Sequence, residues 1–209
     1  MPSASPSDLA HVLWLGGSAC TGKTTAARSL AALYGLTLYS CDERFEEHRH
    51  RASPERHPHF HRLMDRPPEE LWAPPVAEQV RDLLLFYKDE LAMVVEDLRS
   101  LSGPVIAEGV GLLPDLVAEL LAEPHRACWL IATAEFRRRH YPSRNLASLL
   151  ARCPDPQLAY ETWMARDDEI ARRLAAEAAA RALPCLVVDG GSTEAATVAA
   201  LAQQFRLAD

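Results

Sequence analysis

Eight residues near the start of the chain constrain its fold more than any others. Gly17-Ser18-Ala19-Cys20-Thr21-Gly22-Lys23-Thr24 reads G-x-x-x-x-G-K-[ST], a complete phosphate-binding loop. Such a loop belongs between a strand and a helix, and both flanks comply. Val12-Leu13-Trp14-Leu15 is an apolar run suited to a buried strand, while Ala27, Leu30, Ala31 and Tyr34 recur at helical spacing beyond the loop. The glycines permit positive-φ backbone that turns successive N–H groups toward phosphate oxygens. The helix that follows adds its N-terminal partial positive charge. Lys23 is expected to reach the β- and γ-phosphates and the Thr24 hydroxyl to ligate Mg²⁺. Gly17, Ser18, Ala19, Cys20, Thr21, Gly22 and Thr25 complete the expected nucleotide cradle. A chance match has odds of roughly one per cent in a chain of this size.

Five short apolar segments alternate with helical ones: 12–15, 36–39, 104–107, 127–131 and 185–188. That alternation predicts an α/β fold, a parallel sheet wrapped by crossover helices. The connections are uneven. Residues 41–103 separate the second and third strands, and Val76, Val80, Leu83, Leu84, Tyr87, Leu91, Val94, Val95 and Leu98 trace one helical face there. The His/Arg/Pro-rich part, 47–75, has weak periodicity and reads as an irregular or mobile insertion. Residues 132–184 are again mostly helical, broken by Pro142, Pro154 and Pro156 before an Ala-rich helix over about 157–183. A closing helix over 193–205 takes Ser192 or Thr193 as its N-cap. With 209 residues the chain accommodates one well-buried domain. Its core would be about 11–42, 103–132 and 184–209.

Composition narrows the partners. A net charge of -7 argues against nucleic acid as the main partner. No apolar run approaches the ~20 residues of a membrane span, and the first ten residues lack the pattern of a signal peptide. Cys20, Cys41, Cys128, Cys153 and Cys185 are odd in number and form no C-x-x-C pair, which suits a reducing cytoplasm.

The layout, a phosphate loop on the first strand with long helical insertions after the second and fourth, resembles the small P-loop kinases. That group includes nucleoside monophosphate kinases, shikimate and gluconate kinases and chloramphenicol phosphotransferase. The resemblance spans nearly the whole chain, with the loop as its one specific motif. It implies a five-stranded parallel sheet in the order 2-3-1-4-5, an acceptor-binding insertion over 43–102, and an ATP lid with a long helix over 133–183. It also implies ATP and Mg²⁺ as cofactors and a small molecule as the phosphate acceptor.

Two carboxylates end strands at the edge where ligands of open α/β sheets bind. Asp42 follows the second strand in Tyr39-Ser40-Cys41-Asp42. By the resemblance it faces the acceptor alcohol and takes its proton; the alternative is a helix N-cap. Glu108 follows the third strand in Ala107-Glu108-Gly109-Val110-Gly111 and would hold Mg²⁺ beside the loop. The reverse division of roles stays open. Arg137-Arg138-Arg139-His140-Tyr141-Pro142-Ser143-Arg144 looks like the lid. Guanidinium groups answer charge building on a transferring phosphoryl group. Arg138 and Arg144 are the choices, Arg137 and Arg139 the alternatives, and Arg166 and Arg173 fit less securely. Since helical neighbours diverge by 100°, Arg137 and Arg138 are not expected to share one phosphate. In Asp189-Gly190-Gly191, Gly190 is expected beside the adenine, and Asp189 gets no catalytic role.

His48, His50, His57, His59 and His61 lack the spacing of a zinc site and belong to the expected loop. Trp72, Phe86 and Tyr87 read as helix-packing aromatics before pocket-lining ones. The leading reading is an ATP- and Mg²⁺-dependent kinase acting on a hydroxyl of a small molecule. A nucleoside or nucleotide kinase is the rival within that class, with Arg44, Arg49, Arg51, Arg56, Arg62 and Arg66 available to clamp an acceptor phosphate. A non-catalytic ATP-binding switch is the rival outside it. A GTPase is disfavoured because no [NT]-K-x-D signature occurs.

Overall fold

The apolar segments assemble as their spacing predicts. The computed structural model describes residues 6–67, 70–141 and 147–207. Among these, β1 (Val12–Gly17), β2 (Thr37–Ser40), β3 (Val105–Glu108), β4 (Ala127–Ala132) and β5 (Cys185–Val188) form one parallel sheet in the order β2-β3-β1-β4-β5. Pro104 stands outside β3; its carbonyl accepts from Thr37 N at 2.9 Å, but it has no N–H to donate.

Strand alternation sorts the side chains into two cores. Leu13, Leu15, Ile106, Cys128 and Leu130 face α1 (Lys23–Tyr34) and α9 (Glu194–Gln204), meeting Ala26, Ala27, Leu30, Val198 and Leu201. Full burial of Leu30 alone is worth roughly 2 kcal/mol. On the opposite face Val12, Trp14, Val105, Ala107 and Trp129 pack against Leu91, Val94, Val95 and Leu98 of α4 (Val76–Ser100) and Ala178 of α8 (Pro156–Ala180). Trp129 is fully buried there and donates from Nε1 to Leu112 O at 2.7 Å. The result is the three-layer P-loop fold. Thr193, of the two candidates, caps α9, accepting from Ala196 N. No helix of the described residues is long and apolar enough to cross a membrane.

The insertion after β2 departs from the expectation of an irregular segment. It holds two helices, α2 (Cys41–Arg51) and α3 (Pro58–Met64). The inward face of α2 is Cys41, Phe45 and His48, a regular i, i+4, i+7 series that escapes hydrophobic counting because its last member is histidine. Asp89 of α4 caps α3, accepting from His59 N at 2.7 Å and Phe60 N at 3.1 Å. Phe60 then stacks on Phe86 with ring centroids 4.5 Å apart, so Phe86 packs helices as expected.

His48 is fully buried, and this corrects its placement in a loop. Its Nδ1 lies 3.2 Å from Glu90 Oε1, and its Nε2 lies 3.1 Å from both Asp97 Oδ2 and the Tyr39 hydroxyl. Tyr39 donates its proton to Asp97 at 2.8 Å. Burial works against the imidazolium, but the Glu90 and Asp97 carboxylates outweigh it and raise the His48 pKa above its ordinary 6.5. A raised folded-state value stabilises fully below about pH 6.5 and fades as pH rises through it. For Asp97, burial is outweighed by hydrogen bonds from Arg51, Tyr39 and His48, which lower its pKa below 3.8. That contribution is whole above pH 3.8 and is lost as pH falls through the depressed value. Denaturant unfolding against pH is therefore expected to peak between the two limits. His48→Gln should flatten the alkaline side and lower the peak by about 1–3 kcal/mol. An unchanged alkaline limb in the variant would contradict a charged His48.

Candidate active site

Chain geometry at the loop follows from contacts with β4. Gly17 has φ +132°, and a Cβ there would stand 2.0 Å from Leu130 O. Ser18 N donates to Leu130 O at 2.9 Å, and the Ser18 hydroxyl accepts from Ala132 N at 2.9 Å. The loop is thereby fastened to the strand beside it. Gly22, φ +77°, turns the chain into α1 in a left-handed conformation that disfavours a side chain. Lys23 is buried at 7 % exposure and folds back over the loop, donating to Ser18 O at 2.7 Å and Thr21 Oγ1 at 3.4 Å.

Strand register brings the carboxylates to this loop. Glu108 pairs with Leu15 on one side and Ser40 on the other. It is buried, and its Oε1 accepts from Thr24 Oγ1 at 3.1 Å and from Ser40 Oγ at 2.5 Å. Ser40 is the functional neighbour that sequence reasoning missed; its only signal is a hydroxyl at a strand end. Because that hydroxyl serves Glu108, Ser40 stands at the N-cap of α2 without a side-chain capping bond. Asp42 lies in the first turn of α2 and is exposed. Ala19, Cys20, Thr21, Gly22, Lys23, Thr24, Thr25, Asp42, Glu108, Gly109 and Val110 line one concavity of about 130 Å³.

The oxygen pair of Thr24 and Glu108 suits a hard divalent ion such as Mg²⁺. Among the described residues no group of three or more His, Cys, Asp or Glu is placed to hold a metal. An ion at Thr24 and Glu108 would complete its shell from phosphate oxygens and water, as Mg²⁺ commonly does.

The arginines expected of a lid are engaged with carboxylates among the described residues. Helix α6 (Ala134–His140) starts at Thr133, which accepts from Phe136 N at 3.2 Å. Arg138 reaches Glu161 at 3.3 Å and Asp168 at 3.5 Å, both on α8. Arg137 also pairs with Asp168, so the two adjacent arginines share one carboxylate despite their angular separation. Their long stems bend toward it. Arg137 is 1 % exposed, and its Nε and Nη1 have no hydrogen-bond partner among the described residues. Arg139 pairs with Glu135, Arg173 with Glu169 and Arg166 with Asp167. Arg144, Pro142 and Ser143 lie outside the described residues.

At the end of β5, Asp189 Oδ1 accepts from Gly191 N at 2.8 Å and closes a local turn. Gly190, φ +93°, would place a Cβ 3.2 Å from the Phe136 ring, so this turn and the start of α6 touch.

No protein-family profile matches the sequence, and no curated protein matches it. Solved structures give likenesses at low identity. Shikimate kinase from Acinetobacter baumannii, in complex with shikimate, is similar at 18% identity with a TM-score of 0.46, covering 94% of this chain and 92% of that one. An uncharacterized protein from Eubacterium ventriosum is similar at 11% identity with a TM-score of 0.44, covering 93% and 97%.

Proposed function

We propose that this chain is an ATP- and Mg²⁺-dependent phosphotransferase that acts on a hydroxyl of a small molecule. The observation that carries the reading is the convergence of Lys23, Thr24, Asp42 and Glu108 on one concavity over a complete phosphate loop. A loop that only bound nucleotide would need no exposed carboxylate beside it, although the first turn of α2 also favours an acid at Asp42.

The loop N–H groups and Lys23 would hold the β- and γ-phosphates, with Lys23 leaving the Ser18 carbonyl to do so. Thr24 and Glu108 would hold Mg²⁺, which supplies charge neutralisation at the phosphate oxygens. Asp42 would orient the acceptor hydroxyl and receive its proton. The acceptor oxygen forms a bond to the γ-phosphorus as the bond from that phosphorus to the bridging oxygen breaks, and ADP leaves with the electron pair. Arg137 and Arg138 of α6 would add positive charge at the phosphates only on exchanging their Asp168 partner for them.

A direct test measures ADP release from Mg²⁺-ATP with and without a panel of small hydroxyl compounds. Release is expected to rise at least about tenfold over the acceptor-free rate with a suitable alcohol. Tight Mg²⁺-ATP binding with no alcohol-dependent release would instead favour the non-catalytic switch.

A further inference from the structure

On the phosphotransferase reading, which this inference rests on, the place of Asp42 depends on what holds its helix. Helix α2 has 11 residues, and only Cys41 and His48 of them are buried. A helix so short and so exposed relies on its inner contacts to stay where it is. At its start the Ser40 hydroxyl donates to Glu108, and Cys41 lies against the turn after β3, where a Cβ on Gly109 would stand 2.8 Å from Cys41 Sγ. Asp42 and Gly109 line the same concavity. Phe45 comes next on the inner face, with ring centroids 5.9 Å from Phe60 and 6.4 Å from Phe86. His48 is the last contact on that face.

His48 ties α2 to α4. Its Nδ1 meets Glu90 Oε1 at 3.2 Å, and its Nε2 meets Asp97 Oδ2 and the Tyr39 hydroxyl at 3.1 Å each. Glu90 is 5 % exposed, and its Oε2 lies 3.4 Å from where a Cβ on Gly111 would stand. One carboxylate therefore touches His48 on one side and the 109–111 turn on the other. The charges around the pair are otherwise matched. Arg51 pairs with Asp97 and Glu96, Arg56 with Glu96, and Arg44 stands over the Tyr39 ring at 6.0 Å. Among the described residues Glu90 has His48 as its one ionic partner, so a neutral His48 would leave a buried carboxylate without a counter-charge. Tyr39 and Cys41 do not lose protons over the same range, because burial raises the hydroxyl and the thiol well above their ordinary values. His57, at the start of α3, is pushed below 6.5 by burial and changes charge on the acid side.

We propose that charged His48 is a positioning residue for phosphoryl transfer: its hold on Glu90 and Asp97 keeps α2 and the 109–111 turn against α4, and so keeps Asp42 on the phosphate-loop concavity. His48 is charged below its raised value and neutral above it, so the loss falls on the alkaline side. The test follows ADP release from Mg²⁺-ATP against pH, with the alcohol of the hydroxyl panel that raises release most. In the wild type kcat is expected to fall at least about tenfold on an alkaline limb while KM for ATP holds within about twofold. His48→Gln should sit at least about tenfold below the wild type at neutral pH and show no such limb. His50→Gln, an exposed histidine of the same helix, should follow the wild type. Glu90→Gln leaves His48 with Asp97 alone and should move the limb about one pH unit lower; it reads the same pair should His48→Gln fail to fold. A limb that is absent from the wild type, that persists in His48→Gln or that stays in place in Glu90→Gln overturns the positioning role and leaves phosphoryl transfer standing. If no alcohol raises ADP release in the wild type, the phosphotransferase reading falls and takes this inference with it.

Discussion

Lys23→Ala is expected to lower phosphoryl transfer by at least about a hundredfold, roughly 3 kcal/mol of lost transition-state stabilisation, with little change in stability. The reason lies in what the lysine touches. Its Nζ is buried over the loop and donates to the Ser18 carbonyl and the Thr21 hydroxyl, both members of the loop. Ser18 O keeps a second donor, the Thr21 hydroxyl at 3.1 Å, after the ammonium is gone. Loop shape is fixed separately by Gly17 and Ser18 against Leu130 and Ala132. The unfolding free energy should therefore shift by no more than about 1 kcal/mol. Single-turnover rates and denaturant melts on the same preparation check both halves. A variant that turns over near the wild-type rate would remove Lys23 from the chemistry.

The sheet's centre was legible because β1, β3 and β4 carry apolar runs, and burial on both faces demands them, whereas the edge strand β5 leaves Val187 exposed. The loop was legible because its backbone requires particular residues at particular offsets. What stayed hidden depends on partners far apart in the chain. No local pattern shows that Asp82 gathers Arg62, Arg66 and Arg81, or that Asp168 takes both Arg137 and Arg138. Those pairs give the arginines of a basic-looking insertion and of α6 carboxylate partners that no local pattern announces. His48 hid α2 for a related reason. A histidine is an acceptable core residue only when both ring nitrogens find partners, and Glu90 and Asp97 lie about forty to fifty residues downstream. Ser40 adds a subtler case. Its place before a helix reads as a cap, yet strand register hands its hydroxyl to Glu108.

That last contact sharpens the division of labour between the two strand-end carboxylates. Glu108 already accepts from Thr24 and Ser40 on one oxygen, so it is held firmly beside the expected metal ligand. Asp42 is exposed at the mouth of the same concavity and is held by no cap. A fixed, buried oxygen suits an ion, whereas an exposed one open to the concavity suits a proton acceptor. Asp42→Asn is expected to preserve ATP and Mg²⁺ affinity and to lower turnover by about 10²–10⁴. Glu108→Gln keeps a carbonyl oxygen for the Thr24 and Ser40 hydroxyls but loses the charge. It should raise the Mg²⁺ concentration for half-maximal rate about tenfold or more, with much of the turnover recovered at high Mg²⁺. Rate against Mg²⁺ for both variants separates the roles. A loss in Glu108→Gln that no Mg²⁺ concentration repairs, joined to a metal defect in Asp42→Asn, would exchange them. Two variants indistinguishable from wild type would leave the convergence on the phosphate loop without a chemical purpose, and phosphoryl transfer would have to be abandoned.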